Sequence, residues 1–190
     1  MSRGAKFVYL IYAGWFVVIA AGAWLHFPRN RMFLILPMAV YLGALIISFV
    51  WMLRDGERLR DRAAIPLAVG LGTAVIAVIV APRLFDAGFA RIMPRYAGVI
   101  QQIEAGQVAV GSDPTAITLR NADAKLGYAA WATRASNGVL MVTFFVGGSF
   151  PVKHWGYLYS SAGEILEGSF EDSQWPKRRR LREKWFYIAD

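Results

Sequence analysis

The sequence predicts a membrane protein: three transmembrane α-helices, followed by a small extracytoplasmic α+β domain with an antiparallel sheet. Three stretches without a charged residue indicate the helices, namely 7–25, 32–53 and 63–82. They are 19, 22 and 20 residues long, and a helix of about 20 residues crosses a hydrocarbon core of about 30 Å. After Pro82 no similar stretch occurs, and turn residues separate short apolar segments that are typical of strands.

These patterns divide the chain into three parts. They are a three-helix membrane domain (1–82), juxtamembrane amphipathic helices (83–111) and an antiparallel β domain with a basic C-terminal segment (112–190).

The first helix also has features of a signal peptide. Arg3 and Lys6 form a basic start, and Ala21–Ala23 offers a passable cleavage site. The apolar stretch nevertheless continues past a usual signal core to Trp24 and Phe27. We therefore expect a retained helix.

The charges of the short loops predict the orientation. The N-terminus and the loop between the second and third helices carry six Lys or Arg residues, whereas the loop between the first two helices carries Arg29 and Arg31. Positive charge favours the cytoplasmic side. We expect a bacterial inner-membrane protein with a cytoplasmic N-terminus and a periplasmic C-terminal domain.

Small residues recur every four positions in the third helix, at Ala64, Ala68 and Gly72. Such a stripe lets two helix backbones approach closely in lipid. It predicts a helix-packing face, either against the first two helices or against another subunit.

Apolar residues at helical spacing continue through 83–107. Pro94 interrupts this pattern and Gly106 is a natural helix stop. We expect two amphipathic helices whose apolar faces pack on the following sheet.

The segment from Ser112 onward predicts four to six antiparallel strands. Asn137-Gly138 indicates a hairpin, because this pair readily adopts the positive φ angles of tight turns. The stretch 139–146 is the most hydrophobic and is expected to form the central strand. The predicted core consists of Leu126, Trp131, Leu140, Val142, Phe144, Tyr157 and Tyr159.

A basic segment lies near the end of the chain between aromatic residues. Pro176 precedes it and suits the first turn of a short helix. Six cations beside aromatics predict contact with a partner protein or with lipid head groups, although a solvated basic helix remains an alternative. The residues concerned are Trp175, Lys177, Arg178, Arg179, Arg180, Arg182, Lys184 and Trp185.

Motifs that carry chemistry are scarce. The chain has no cysteine, which excludes disulfides and thiolate sites. His154 lacks a recognisable triad or metal spacing, so we expect it to bond to backbone or water, and we expect His154→Ala to leave cellular function intact. His26 has no second membrane histidine for a bis-histidine haem. We expect a protein that is not an enzyme, with no cofactor, no metal site and no nucleic-acid partner.

The last third of the chain resembles a β module of uncharacterised bacterial membrane and envelope proteins. The resemblance lies in three runs: Val142 to Gly148, His154 to Ser161, and Trp185 to Asp190. In that family a hydrophobic strand ending in aromatics leads into a strand of the Gly-x-[Val/Leu]-Tyr-Ser type. The resemblance implies a fold and carries no functional residue.

Two functions fit these observations. One is a non-catalytic accessory or scaffold subunit of a larger respiratory, photosynthetic or envelope complex, with other membrane subunits and lipids as partners. The other is a membrane-anchored module that senses a small molecule, peptide or glycan. Exposure of Trp131, Trp155 and Trp175 in one groove would favour the second, and their burial would favour the first.

Overall fold

The computed structural model describes residues 3–26, 34–54, 56–119, 126–149, 152–167 and 169–190. The helices are α1 (Arg3–Leu25), α2 (Ile35–Arg54), α3 (Gly56–Glu104) and α4 (Phe170–Gln174). The strands are β1 (Thr115–Ile117), β2 (Ala129–Arg134), β3 (Leu140–Ser149), β4 (Val152–Ser160), β5 (Lys177–Arg182) and β6 (Trp185–Ala189). Two structural units divide the chain, Met1–Gly88 and Phe89–Asp190. The predicted loop cations Arg29 and Arg31 lie outside the described residues.

Among the described residues, three helices are long and apolar enough to cross a membrane, as the sequence predicts. Their apolar side chains are largely exposed, with Val78 of α3 75% and Leu10 of α1 70% accessible. Apolar side chains in such numbers on the outside of a three-helix unit are expected where lipid is the solvent.

Aromatic residues hold the first unit together. Trp15 of α1 stacks on Tyr41 of α2 with ring centroids 4.2 Å apart, and Tyr12 meets the edge of the same ring. The Tyr12 hydroxyl lies 2.9 Å from Ser48 Oγ. Each hydroxyl thus has a partner inside the bundle, where an unpaired polar group would be costly.

Helix α3 runs without interruption from Gly56 to Glu104, so the predicted break at Pro94 is wrong. Proline removes one intrahelical hydrogen bond but its φ angle is compatible with a helix, and a long helix can tolerate this loss. The predicted stop at Gly106 is confirmed. Gly106 has a φ of +76°, its N–H donates to Ile103, and the N–H of Gln107 donates to Gln102, which together form a Schellman motif.

The described residues of the second unit form an antiparallel sheet of six strands in the order β1-β2-β3-β4-β6-β5. The predicted hairpin is present between β2 and β3, where Gly138 has a φ of +83° and Asn137 Oδ1 accepts from the Val139 N–H. The central position of β3 agrees with its hydrophobicity, since a strand paired on both edges and covered on both faces must be apolar.

One face of the sheet packs on the C-terminal half of α3. Phe89 lies 4.6 Å from Tyr157 between ring centroids, and Tyr96 lies 4.9 Å from Phe144. The Tyr96 hydroxyl donates to the Leu126 carbonyl oxygen at 2.7 Å. These rings and those of Trp185 form an aromatic layer that the helix and the sheet share.

Residues 161–176 cover part of the opposite face. Here Met141, Leu158, Trp175 and Ile188 form a buried cluster. Of the seven predicted core residues, six are buried, whereas Trp131 is 40% exposed. Trp131 lies on β2 next to the short edge strand β1, where few neighbours can cover a side chain of its size.

Candidate functional site

The basic segment predicted to be a helix is instead an edge strand, β5. It pairs with β6 along its length, with a register shift between Arg180 and Arg182. A run of cations interrupted by one leucine lacks the periodicity of a buried strand, so the pairing with apolar β6 determines its conformation. All of its side chains are exposed except that of Leu181.

The cations of β5 differ in their contacts. Arg178 forms an ion pair with Asp172. Lys177 Nζ donates to the main-chain oxygen of Asp190 at 3.0 Å, and Arg180 donates to the carbonyl oxygens of Gly163 and Glu183. The carbonyl oxygens of Gly163 and Glu183 bear no net charge, so Arg180 retains its own.

The two tryptophans that flank this strand are buried. Trp175 is 4% and Trp185 is 5% exposed, because Trp175 packs in the cluster beneath residues 161–176 and Trp185 in the aromatic layer. The prediction that these indoles contact a partner or lipid is therefore wrong for this fold. The six cations Lys177, Arg178, Arg179, Arg180, Arg182 and Lys184 are all exposed.

The small-residue stripe of α3 lies away from the face that packs within the first unit. That face uses Gly70 and Ala77, both buried. By contrast, Ala68 is exposed, Ala64 is partly exposed, and a Cβ added to Gly72 would meet open space. The packing of α3 within the first unit is therefore made by residues other than those of the stripe.

His154 and Asp190 form a pair that the sequence did not reveal. His154 Nδ1 lies 3.0 Å from Asp190 Oδ2, and the His154 N–H donates to Asp190 Oδ1 at 2.9 Å. The carboxylate orients the imidazole, which is half exposed. Ser160 is buried, and its hydroxyl donates to the Glu164 carbonyl oxygen. This arrangement does not suit a nucleophile that a histidine activates.

A second missed pair lies in the interior of the second unit. The Thr133 hydroxyl donates to Glu171 Oε1 at 2.7 Å, and both residues are buried. Ser169 caps the short helix α4 by accepting from the Asp172 N–H. Nothing in the local sequence marks Glu171 as buried, because acidic residues in a turn are usually solvated.

His26 closes α1 rather than pointing into open space. It has a φ of +54°, and its Nε2 lies 2.9 Å from the Phe85 carbonyl oxygen while its ring stacks on Phe85. Across the described ranges, no group of three or more His, Asp or Glu residues is arranged to hold a metal ion.

Burial and charge perturb two tyrosines of the sheet. Desolvation raises the pKa of Tyr157 well above its usual value. It also raises the pKa of Tyr159, and the nearby Glu104 carboxylate raises it further. Both phenols are therefore neutral at physiological pH and serve as parts of the core.

Comparison with protein-family models, with curated proteins and with solved structures gave no match. Function must therefore be inferred from the residues themselves.

Proposed function

We propose that this protein is a non-catalytic accessory or scaffold subunit of a larger complex in the bacterial inner membrane. Its N-terminus would be cytoplasmic and the sheet would lie in the periplasm. Its partners would be other membrane subunits and lipids. It would stabilise the assembly through its helices and its outer domain.

The observation that carries this proposal is the uncovered stripe Ala64, Ala68 and Gly72. Among the described residues the bundle packs through Gly70 and Ala77, and the stripe lies on a different side of α3 from these two residues. A row of small side chains in lipid offers a close approach to a helix of another chain, where dispersion and weak Cα–H contacts stabilise association.

The experiment is purification of the native protein in a gentle detergent, followed by mass spectrometry and an absorption spectrum. We expect stoichiometric membrane subunits to co-purify. In Ala68→Ile and Gly72→Ile variants, we expect those subunits to be lost while the protein remains folded. Val75→Ile is the matched control, since Val75 is 59% exposed and lies outside the stripe.

Purification of an isolated protein, or equal recovery of partners with the stripe variants and the control, would refute this role for the stripe. A lost partner would also have to be distinguished from a misfolded bundle. Circular dichroism of each variant provides that check.

The second candidate is a membrane-anchored module that recognises a small molecule, peptide or glycan. Two aromatics of the second unit support it, since Tyr128 is 58% and Trp131 40% exposed. Burial of Trp155 and Trp175 removes the three-tryptophan groove that would have favoured it. Quenching of tryptophan fluorescence by a glycan or peptide panel, abolished by Trp131→Ala, would support this candidate.

A further inference from the structure

We propose that the open edge of β5 is a docking site for an acidic β-strand of a partner protein. This inference rests on the proposed function, because it states the chemistry by which another subunit would be recognised. It goes beyond charge attraction, since it assigns the contact to the main chain of one strand.

The position of β5 in the sheet supplies the main-chain part of the site. β5 pairs with β6 on one side and is the last strand in the sheet order. Its outward amide and carbonyl groups can therefore extend the ladder to a further strand. At about 3.3 Å per residue, its six residues offer a template of about 20 Å.

The side chains of β5 would contact an added strand on both faces of the sheet. Lys177 and Arg179 pair in register with Ala189 and Tyr187, whereas Arg178 and Arg180 pair with Ile188 and Phe186. Directly paired residues of antiparallel strands share a face, and successive residues alternate between faces. Acidic side chains on both faces of an incoming strand would thus meet cations.

A lipid surface fits this arrangement less well. A flat layer of head groups that approaches the sheet from one face meets only the cations of that face. The two indoles that could anchor the segment at a membrane interface, Trp175 and Trp185, are buried.

The charge on the strand also selects among protein partners. Arg178 is paired with Asp172, but Arg180 donates to the neutral carbonyl oxygens of Gly163 and Glu183, and Lys177, Arg182 and Lys184 are exposed. Two copies of this edge would repel each other, whereas an acidic strand would be attracted.

The test uses the full chain in nanodiscs of zwitterionic phosphatidylcholine. The probe is a fluorescent peptide in which pairs of glutamates alternate with pairs of threonines, so that both faces of the extended peptide carry carboxylates, and binding is followed by anisotropy. A second peptide of the same sequence carries N-methyl groups on successive residues, which remove the N–H donors of both strand edges and keep the charge. The variant is Lys177→Glu with Arg182→Glu. The matched control is Arg95→Glu with Arg134→Glu, because Arg95 lies on α3 and Arg134 on β2, which β3, β4 and β6 separate from β5.

We expect the first peptide to bind the wild type and the control. The β5 variant should bind at least about tenfold more weakly, which corresponds to about 1.4 kcal/mol. The N-methylated peptide should not bind. A Lys177→Arg, Arg182→Lys variant should bind like the wild type, which separates loss of charge from loss of folding.

Equal binding of the N-methylated peptide would overturn the inference, since it would show that charge suffices. Absence of peptide binding would also overturn it, and binding of the wild type to phosphatidylglycerol vesicles would then assign β5 to lipid. If the peptide fails while native subunits still co-purify, this inference falls and the proposed function stands. If no subunit co-purifies, the proposed function falls first.

Discussion

The hydroxyl of Tyr41 donates a hydrogen bond to the carbonyl oxygen of Gly70, with 2.6 Å between the two oxygens. The bond links α2 to α3 inside the apolar bundle. It forms because Gly70 has no side chain. A Cβ at this position would lie 2.6 Å from both Leu45 Cδ2 and Tyr12 Cζ.

We therefore predict that Gly70→Val destabilises the helical unit by about 1–3 kcal/mol or more, as overpacking does in tightly packed cores. The measurement is unfolding of the purified protein in mixed micelles with increasing SDS, followed by circular dichroism. Gly72→Val is the control, because its added side chain meets open space. Similar unfolding midpoints for the two variants would contradict the packing described here.

We predict that Gly156 in β4 tolerates an added side chain as poorly as Gly70 does. A methyl group on it would overlap the carbonyl oxygen of Phe144 on the paired strand β3. Because backbone cannot give way as a flexible side chain can, Gly156→Ala should destabilise the sheet by about 3 kcal/mol or more. Gly98→Ala, with open space around its added methyl, should not. Limited proteolysis within the sheet would distinguish the two, and equal resistance would speak against the register of β3 and β4.

Removing the hydroxyl that donates to the buried Glu171 side chain should also destabilise the second unit. Thr133→Val preserves shape but leaves Glu171 Oε1 without its hydroxyl partner. We expect a loss of about 1–3 kcal/mol, the usual cost of an unsatisfied buried polar group. Thr133→Ser, which keeps the donor, should lose clearly less. Denaturant unfolding of both variants in the same detergent tests this, and a valine variant as stable as the serine one would exclude the bond as a contributor.

Alkaline pH should weaken the second unit through Tyr159. Burial, and then the Glu104 carboxylate, raise the pKa of this phenol above its ordinary value of 10.0. The folded state therefore holds its proton more tightly than the unfolded state. The resulting stability is complete below about pH 10 and is lost as the pH rises through the folded pKa.

Tyr159→Phe should accordingly reduce the decline of stability above pH 10, and Glu104→Gln should lower the pKa of Tyr159 while burial keeps it raised. Tyrosinate absorbance during a pH titration reports the pKa, and denaturant unfolding on both sides of pH 10 reports the stability. Tyr157 would remain as a second alkaline-sensitive group. An unchanged titration in the Glu104→Gln variant would exclude the influence of that carboxylate.

Local patterns were sufficient for part of this structure. The three apolar helices, the hairpin at Asn137-Gly138 and the stop at Gly106 depend on residues next to each other in the chain. The conformation of β5 depends instead on its partner β6, and the orientation of His154 depends on Asp190, which lies 36 positions away.

The packing face of α3 also could not be predicted from local sequence alone. Ala64, Ala68 and Gly72 form the most regular row of small residues, yet Gly70 makes the close contact. Small size permits an approach but does not decide which helix approaches. The aromatic rings of Tyr12 and Tyr41 decide it here, and their positions on other helices cannot be read from α3.

The aromatic layer has a consequence for how this architecture can evolve. Phe89 and Tyr96 of α3 are almost fully buried against the sheet, so the helix that leads out of the apolar bundle also completes the core of the second unit. A gene fusion that transferred residues 112–190 to another anchor would leave Phe144, Tyr157 and Trp185 uncovered. The sheet therefore cannot be transferred to another protein without this part of α3, and we expect the two to be kept together in evolution.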